Sequence, residues 1–392
     1  MCYWQWVLQK VKQKIIIPII MMISRLSRIN SNKIVVDNFG GRGYGDNPKY
    51  IIDELLKDSQ RELDIVWLVN NMNEPVPNGV RKVKYNSVQS IYEYSTARIW
   101  IDNIKNSVKP RKKRGQYYVQ TWHGGIGLKA VEKQIEKELD PRYVRLAKRD
   151  AKQTDLMLSD SKWTTEIFSN WFWYDGRIAE VGFPRNDVLV KKPQSVIKKV
   201  YDHFSLQENQ KIVLYAPTFR DDGDVSPYIF DYNKIIDLLN WKFGNEYVFL
   251  LRLHPNIKLD SKSYIAQSID DTKVFNANSY NDVQELLLTA DVIITDFSSL
   301  MFDAMIADKK VFLFAKDFDQ YIATQRRLLF NVEQLPFPLS KSISTLHQQI
   351  ETFDSKKYFT NLNSFRDELG LQEFGNAAEK VKDIIVTEIQ KG

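Results

Sequence analysis

The chain has 392 residues, 43% of them hydrophobic, a single cysteine and a formal net charge of +6. That length exceeds the size at which one hydrophobic core keeps growing, so two domains are expected. Cys2 alone excludes an intramolecular disulfide and a cysteine-built zinc cluster, and fits a reducing, cytosolic compartment.

Residues 1–30 hold Lys10, Lys12, Lys14, Arg25 and Arg28 and no acidic residue, so this stretch carries +5 of the net charge. Its apolar run, IIIPIIMMI at 15–23, is nine residues long, far short of the about 20 needed to span a bilayer. No small-x-small cleavage site follows, and the next stretch, SRLSRINSNK, is basic, which argues against a removed signal peptide. At helical spacing Trp4, Val7, Leu8, Val11 and Ile15 share one face while Gln5, Gln9, Lys12 and Gln13 share the other, until Pro18. Two readings stay open: a helix lying in an anionic membrane interface, and a helix packed on its own protein.

From residue 33 onward β-rich runs alternate with helix-like stretches. The first series is KIVVDNF (33–39), DIVWLV (64–69), ARIWID (97–102), QYYVQTW (116–122) and DLMLSD (155–160). The second is KIVLYAPT (211–218), EYVFLLRLHP (246–255), TKVFNA (272–277), DVIITD (291–296) and KVFLFA (310–315). Near-continuous apolar strands separated by helices predict α/β architecture with parallel sheets covered on both faces. The polar, proline-bearing stretch VKKPQSVIKKVYDHF marks the change of domain. The expected organisation is a basic segment over 1–30, a Rossmann-like domain over 31–192 and a second over 193–392, whose last helix is free to cross back.

In open parallel sheets ligands sit beyond the carboxyl ends of the strands, so the residues that follow each strand deserve a chemical reading. HGGIGLK follows QYYVQTW, placing His123, one of four histidines, at a strand end. The same position suits a capping or core histidine and a general base. Arg252 and His254 are two apart on a strand and point to the same side, offering two cations to one ligand. Asp296, Ser298 and Ser299 in TDFSSLMFDAM stand where a strand turns into a helix, which is both an ordinary N-cap and an anion site. FGGRGYGDNPK lacks the third glycine of the dinucleotide fingerprint, Asp46 standing in its place. RDDGD at 220–224 offers Asp221, Asp222 and Asp224 to a divalent cation, although acidic surface loops read the same way, and neither metal nor cofactor is expected. RKKR at 111–114 lacks the aromatic interleaving of a nucleic-acid surface and reads as a solvated turn, so no nucleic-acid partner is expected.

GGRGYGDNPKYI, VQTWHGGIGLK, VGFPRNDVL, LYAPTFRDD, LLRLHPN and TDFSSLMFD occur in this order between residues 40 and 305. Together they resemble the CDP-glycerol glycerophosphotransferase family, the teichoic-acid primases and polymerases. The resemblance implies a GT-B fold of two Rossmann-like domains. It implies transfer of a polyol phosphate from CDP-glycerol or CDP-ribitol to a hydroxyl of an undecaprenyl-diphosphate-linked saccharide, with release of CMP, at the cytoplasmic face of the plasma membrane. By the same resemblance His123 is the base and His254 a second essential histidine. Arg252, Thr218, Arg220, Asp296, Ser298 and Ser299 hold the donor diphosphate, and Gly124, Gly125, Lys129, Arg185, Asn186 and Asp187 line the acceptor side. The chain departs from the family pattern at Gly125, Ile126 and Gly127, which replace a Thr-Pro pair, and at Phe297, where tyrosine is common. Two other classes stay in view: a GT-B glycosyltransferase using a nucleotide-sugar, and a non-catalytic binder on the same fold.

Overall fold

The structure, a computed structural model, describes residues 17–58, 61–105, 109–220, 223–253, 257, 263–270, 272–324 and 327–391. The chain forms two compact α/β units. The first comprises the chain up to Gly125, Val131–Arg185 and Asn376–Gly392; the second comprises Ile126–Ala130 and Asn186–Gly375.

In the first unit, β1 (Asn30–Asp37), β2 (Asp64–Val69), β3 (Val80–Lys84), β4 (Ala97–Asp102), β5 (Tyr117–Gln120), β6 (Leu156–Ser159) and β7 (Arg177–Glu180) form one sheet in the order β3-β2-β1-β4-β5-β6-β7. Every pairing in it is parallel. Side chains alternate across a strand, and here both faces are apolar. Ile34, Val36, Trp67, Ile99, Ile101 and Val119 face one side, where the C-terminal helix Ala377–Gln390 adds Val381, Ile385 and Ile389. Val35, Val66, Leu68, Trp100 and Tyr118 face the other, covered by Tyr94 of the helix Val88–Thr96. β3 and β7 are strands for which the sequence gives no apolar run; they close the two edges, where one flank is solvated and charged residues are tolerated.

The second unit repeats the plan with six strands: β8 (Gln210–Tyr215), β9 (Glu246–Leu251), β10 (Val274–Asn276), β11 (Val292–Thr295), β12 (Lys310–Phe314) and β13 (Leu339–Ser340), in the order β10-β9-β8-β11-β12-β13. All are parallel. β8 and β9 stop earlier than their apolar runs, at Tyr215 and Leu251, so that Thr218, Arg220 and Arg252 fall in the loops beyond the strand ends. Each sheet reverses its strand order once, between β1 and β4 and between β8 and β11, which makes a crevice beyond the strand ends at those two points. Two Rossmann-like units of this kind are the make-up of a GT-B chain. The polar stretch after residue 192 forms the helix Gln194–His203 of the second unit.

Of the basic first 30 residues the structure describes the helix Ile17–Ile23 and the turn Ser24–Leu26; Trp4, Val7, Leu8, Val11 and Ile15 lie outside the described residues. Among the described residues no helix is long and apolar enough to cross a membrane.

Candidate active site

In the first unit the loops after β1, β4, β5 and β7 converge on His123. Its Nδ1 lies 2.7 Å from the backbone oxygen of Asn103, the residue after β4. A carbonyl only accepts, so Nδ1 carries the proton and Nε2 is left with its lone pair. Asn103 is fixed in turn: its Nδ2 donates to Asn38 Oδ1 at 2.8 Å and its Oδ1 accepts from the backbone N–H of Phe39 at 2.8 Å. The imidazole lies between two rings, Trp122 at 4.1 Å and Phe39 at 5.4 Å between centroids. Burial among them lowers its pKa below the ordinary 6.5; the bond to Asn103 and the carboxylate of Asp46 oppose the shift, and Arg185 adds to it. The outcome is a neutral imidazole near pH 7 with Nε2 able to take a proton.

Backbone strain gathers at the same place. Phe39, Asp46 and Trp122 have φ of 46°, 54° and 55°, a left-handed conformation that costs a non-glycine residue about 1–2 kcal/mol. Trp122 is held there by Asn47, whose Nδ2 donates to its carbonyl at 3.2 Å, and by Gln120, whose Oε1 accepts from its N–H at 2.9 Å. Arg185 donates from one guanidinium nitrogen to Asp46 Oδ2 at 3.0 Å and to the carbonyl of His123 at 2.9 Å. So Arg185 belongs to the His123 cluster. Asn103, Asp46, Asn47, Trp122 and Phe39 belong to it as well, and sequence reasoning had assigned none of them a role there.

The two glycines after His123 differ. A Cβ at Gly125 would lie 1.7 Å from Asp160 Oδ2, whereas one at Gly124 meets nothing within 4 Å. Gly125→Ala is therefore expected to destabilise the protein by about 1–3 kcal/mol through overpacking against a buried carboxylate. Gly124→Ala is expected to leave the melting temperature nearly unchanged, so any activity it loses reports on substrate approach. Thermal melts beside turnover assays of the two variants check this.

The chain from Ile126 to Ala130 belongs to the second unit: the N–H of Ala130 donates to Arg327, that of Leu329 donates to Leu128, and Lys129 forms a β-bridge with Leu328. The Lys129 ammonium lies 5.3 Å from the Tyr321 ring centre, and Tyr321 stacks on Phe297 at 3.7 Å. Lys129, grouped with the acceptor side by motif, thus sits beside the residues of β11's end.

There Asp296 organises two strand ends. Its Oδ1 accepts from the N–H groups of Thr218 at 2.7 Å and Phe297 at 2.6 Å, while its Oδ2 receives Arg220 at 2.8 Å. Arg220 also forms a fork with Asp317 at 2.6 and 2.9 Å and donates to the carbonyl of Thr218 at 2.6 Å. Its charge is spent on two carboxylates, so it shapes the loop more than it offers charge to a ligand. The Thr218 hydroxyl is buried with no hydrogen-bond partner among the described residues. Arg252, the residue after the last β8–β9 pair, Tyr215 with Leu251, commits one guanidinium nitrogen to the carbonyls of Ala277 and Tyr280 at 2.9 and 2.6 Å; Nε and the other terminal nitrogen make no hydrogen bond among the described residues. Ser298 Oγ accepts from the N–H of Leu300 at 3.3 Å, and Ser299 is exposed at the cap position with no side-chain cap bond. Thr218, Arg252, Ser298 and Ser299 are the donors this end offers to an anion.

His254, Asp221 and Asp222 lie outside the described residues, and among the described residues no cluster of three His, Cys, Asp or Glu is placed to hold a metal. Asn186 spends both ends of its amide, on Glu373 at 2.8 Å and Gln284 at 2.7 Å, and Asp187 is buried beside it at the start of the helix Asp187–Lys191.

Comparison with known proteins identifies the family of the chain. The model of the CDP-Glycerol:Poly(glycerophosphate) glycerophosphotransferase family matches residues 19–387. The teichoic acid poly(glycerol phosphate) polymerase of Staphylococcus epidermidis is 34% identical over 379 residues, 93% of this chain and 52% of its own length. A polymerase of the same description from Bacillus spizizenii is 28% identical, covering 93% of this chain and 95% of its own. The chain thus spans about half of the first relative and nearly all of the second. Among solved structures, the wall teichoic acid polymerase TagF, in a form soaked with CDPG, superposes with a TM-score of 0.82 at 32% identity, over 99% of this chain and 98% of that one. With a family match running through both units, the chain belongs to the CDP-glycerol:poly(glycerophosphate) glycerophosphotransferase family.

Proposed function

We propose that this protein transfers glycerol phosphate from CDP-glycerol to a hydroxyl of a lipid-linked teichoic-acid precursor and releases CMP. The observation that carries the reading is His123, held neutral with its proton fixed on Nδ1 and Nε2 left to accept. In the reaction the acceptor oxygen attacks the β-phosphorus of the donor as its proton passes to Nε2. The anhydride bond to CMP breaks, and the leaving phosphate takes the bonding pair. Phosphoryl transfer asks mainly for positioning and for donors around the phosphates. Arg252, Thr218, Ser298 and Ser299 supply donors, His254 is assigned beside Arg252 by the motif, and Asp296 with Arg220 holds their loop in shape. Incubation with CDP-glycerol labelled at the β-phosphorus and a lipid-linked disaccharide is expected to yield CMP and a product that retains the label. Transfer of sugar from a UDP-sugar, with no reaction of CDP-glycerol, would refute the reading in favour of a glycosyltransferase.

The acceptor's lipid places the enzyme at the cytoplasmic face of the plasma membrane as a peripheral protein. Support comes from the basic first 30 residues and from an exposed apolar ridge: Met22 is 67%, Ile23 57% and Leu26 86% exposed, beside Val88 and Tyr92 of the neighbouring helix. Lys113 donates to the carbonyl of Ser27 at 2.7 Å, which brings the basic turn 111–114 to the same ridge. Basic side chains near an anionic surface contribute about 1 kcal/mol each, and salt screens them. Replacing Ile23 and Leu26 by glutamate in the full chain is expected to reduce sedimentation with phosphatidylglycerol vesicles about tenfold or more while sparing activity on a soluble acceptor analogue. Unchanged sedimentation would move the membrane surface elsewhere, with SNWFWYDGR at 169–177 the next candidate.

A further inference from the structure

Directly beneath the His123 cluster the first unit buries an ionic group that the reaction scheme does not use. Lys109 Nζ lies 2.6 Å from Asp102 Oδ2 and 2.7 Å from Asp150 Oδ1, and Tyr118 donates its hydroxyl to Asp150 at 3.0 Å. Asp102, Lys109, Asp150 and Tyr118 are at most 4% exposed. A third carboxylate, Asp37, is wholly buried nearby, with Oδ1 accepting from the N–H of Gly41 at 2.8 Å and Oδ2 without a hydrogen-bond partner among the described residues. Burying ions costs several kcal/mol each even when they are paired, and a well-packed apolar group in their place is often as stable. Stability alone therefore gives little reason for the arrangement.

Its location supplies one. Asp102 ends β4, and its Oδ1 accepts from the backbone N–H of Ile104 at 2.9 Å, a local turn that closes around Asn103. The Asn103 carbonyl leaves that turn toward His123 Nδ1. The backbone carbonyl of Asp102 also accepts from the N–H of Thr121 at 2.8 Å, two residues before His123. One residue thus touches both chain segments that meet at the imidazole, and Lys109, itself anchored by Asp150, holds its side chain.

The geometry points to Asp102 as the positioning residue for His123: its carboxylate shapes the turn that aims the Asn103 carbonyl at Nδ1, and so decides which ring nitrogen is left bare. The tautomer is a structural claim that stands by itself; only its consequence for turnover rests on the reading of His123 as base. Asparagine at this position keeps an oxygen for the Ile104 N–H, whereas alanine does not, and both lose the ion pair with Lys109. The two variants therefore separate turn from charge.

The experiment is long-range ¹H–¹⁵N spectroscopy of the full chain labelled at its four histidines, with the His123 signal assigned by its loss in His123→Asn, together with steady-state kinetics. Asp102→Asn is expected to keep the proton on Nδ1 and to retain kcat within a few-fold. Asp102→Ala is expected to lose that single-tautomer signature and to lower kcat about tenfold or more, at least the loss seen when the outer-shell partner that orients a metal-bound histidine is removed, with KM for CDP-glycerol nearly unchanged. Glu93→Gln, which breaks the buried ion pair with Lys33 without touching the 102–104 turn, is the control for destabilisation and is expected to leave both readouts in place. Equal losses in the asparagine and alanine variants, or an intact Nδ1 signature in Asp102→Ala, would overturn the proposal. Should the alanine variant fail to fold, loss of the signature in folded Asp102→Asn overturns it as well. Full turnover in His123→Asn would instead sink the base assignment and leave the tautomer result standing.

Discussion

Replacing His123 with alanine is expected to lower kcat by about two to four orders of magnitude, the usual contribution of a positioned general base, while the dissociation constant for CDP-glycerol stays within about twofold. The division follows from where the groups lie. His123 is held by unit-one loops through Asn103, Phe39 and Trp122, and the donors assigned to the diphosphate, Arg252 and Thr218 among them, are on the loops after β8 and β9. A variant that loses only the base should lose kcat and kcat/KM together. The pH profile carries the same signature. Since burial lowers the His123 pKa below 6.5, the imidazole stays neutral as pH falls through that value, and kcat/KM should decline only at lower pH, as the ring takes a proton before substrate arrives. An acid limb at or above 6.5, or a large loss of donor affinity in His123→Ala, would remove histidine from the role of base.

How far the sequence leads depends on what kind of signal each residue leaves. DIVWLV and ARIWID match β2 and β4 residue for residue because both strands are buried on both faces and carry unbroken apolar stretches, Ile65–Val69 and Ile99–Ile101. VRKVK and RIAE make edge strands, where a single buried residue suffices, Val83 in one and Ala179 in the other, so no periodic run betrays them. The site divides in the same way. His123 stands out as a rare residue type at a strand end. The group that orients it is a backbone carbonyl, which any residue at 103 provides, and no pattern of side chains announces that. Arg220 illustrates the opposite limit. An arginine after a strand reads as a phosphate ligand, yet its partner Asp317 is 97 positions away, and only the folded chain shows its charge already engaged. Lys129 is six residues from His123 in sequence but joins the other unit through Leu328, because the chain crosses between units after Gly125.

The largest loss of stability is expected from Arg220→Met. Arg220 is 6% exposed in its side chain and lies between carboxylates that are 2% and 16% exposed, Asp296 and Asp317. Removing the cation leaves two acidic groups facing each other in a site that water scarcely reaches, and breaking a buried pair from one side costs about 3–5 kcal/mol. At about 2–4 °C of melting temperature per kcal/mol for a unit of this size, the melt should fall by roughly 6–20 °C. The damage should also reach function. Asp296 is the acceptor that ties the N–H of Thr218 to that of Phe297, and once Arg220 no longer anchors its other oxygen, those bonds weaken and the loop after β8 loses its shape. CDP-glycerol affinity is therefore expected to drop along with stability, in contrast to His123→Ala. Lysine is no substitute, since a single ammonium cannot make the fork to Asp317 and reach Asp296 and the Thr218 carbonyl together; Arg220→Lys should recover less than half of the lost stability. Calorimetry and donor titration of both variants decide the matter: an Arg220→Met protein that melts within about 2 °C of the parent would show that Asp296 and Asp317 do not need this cation, and binding of CDP-glycerol at parental affinity would separate the clamp from the donor site.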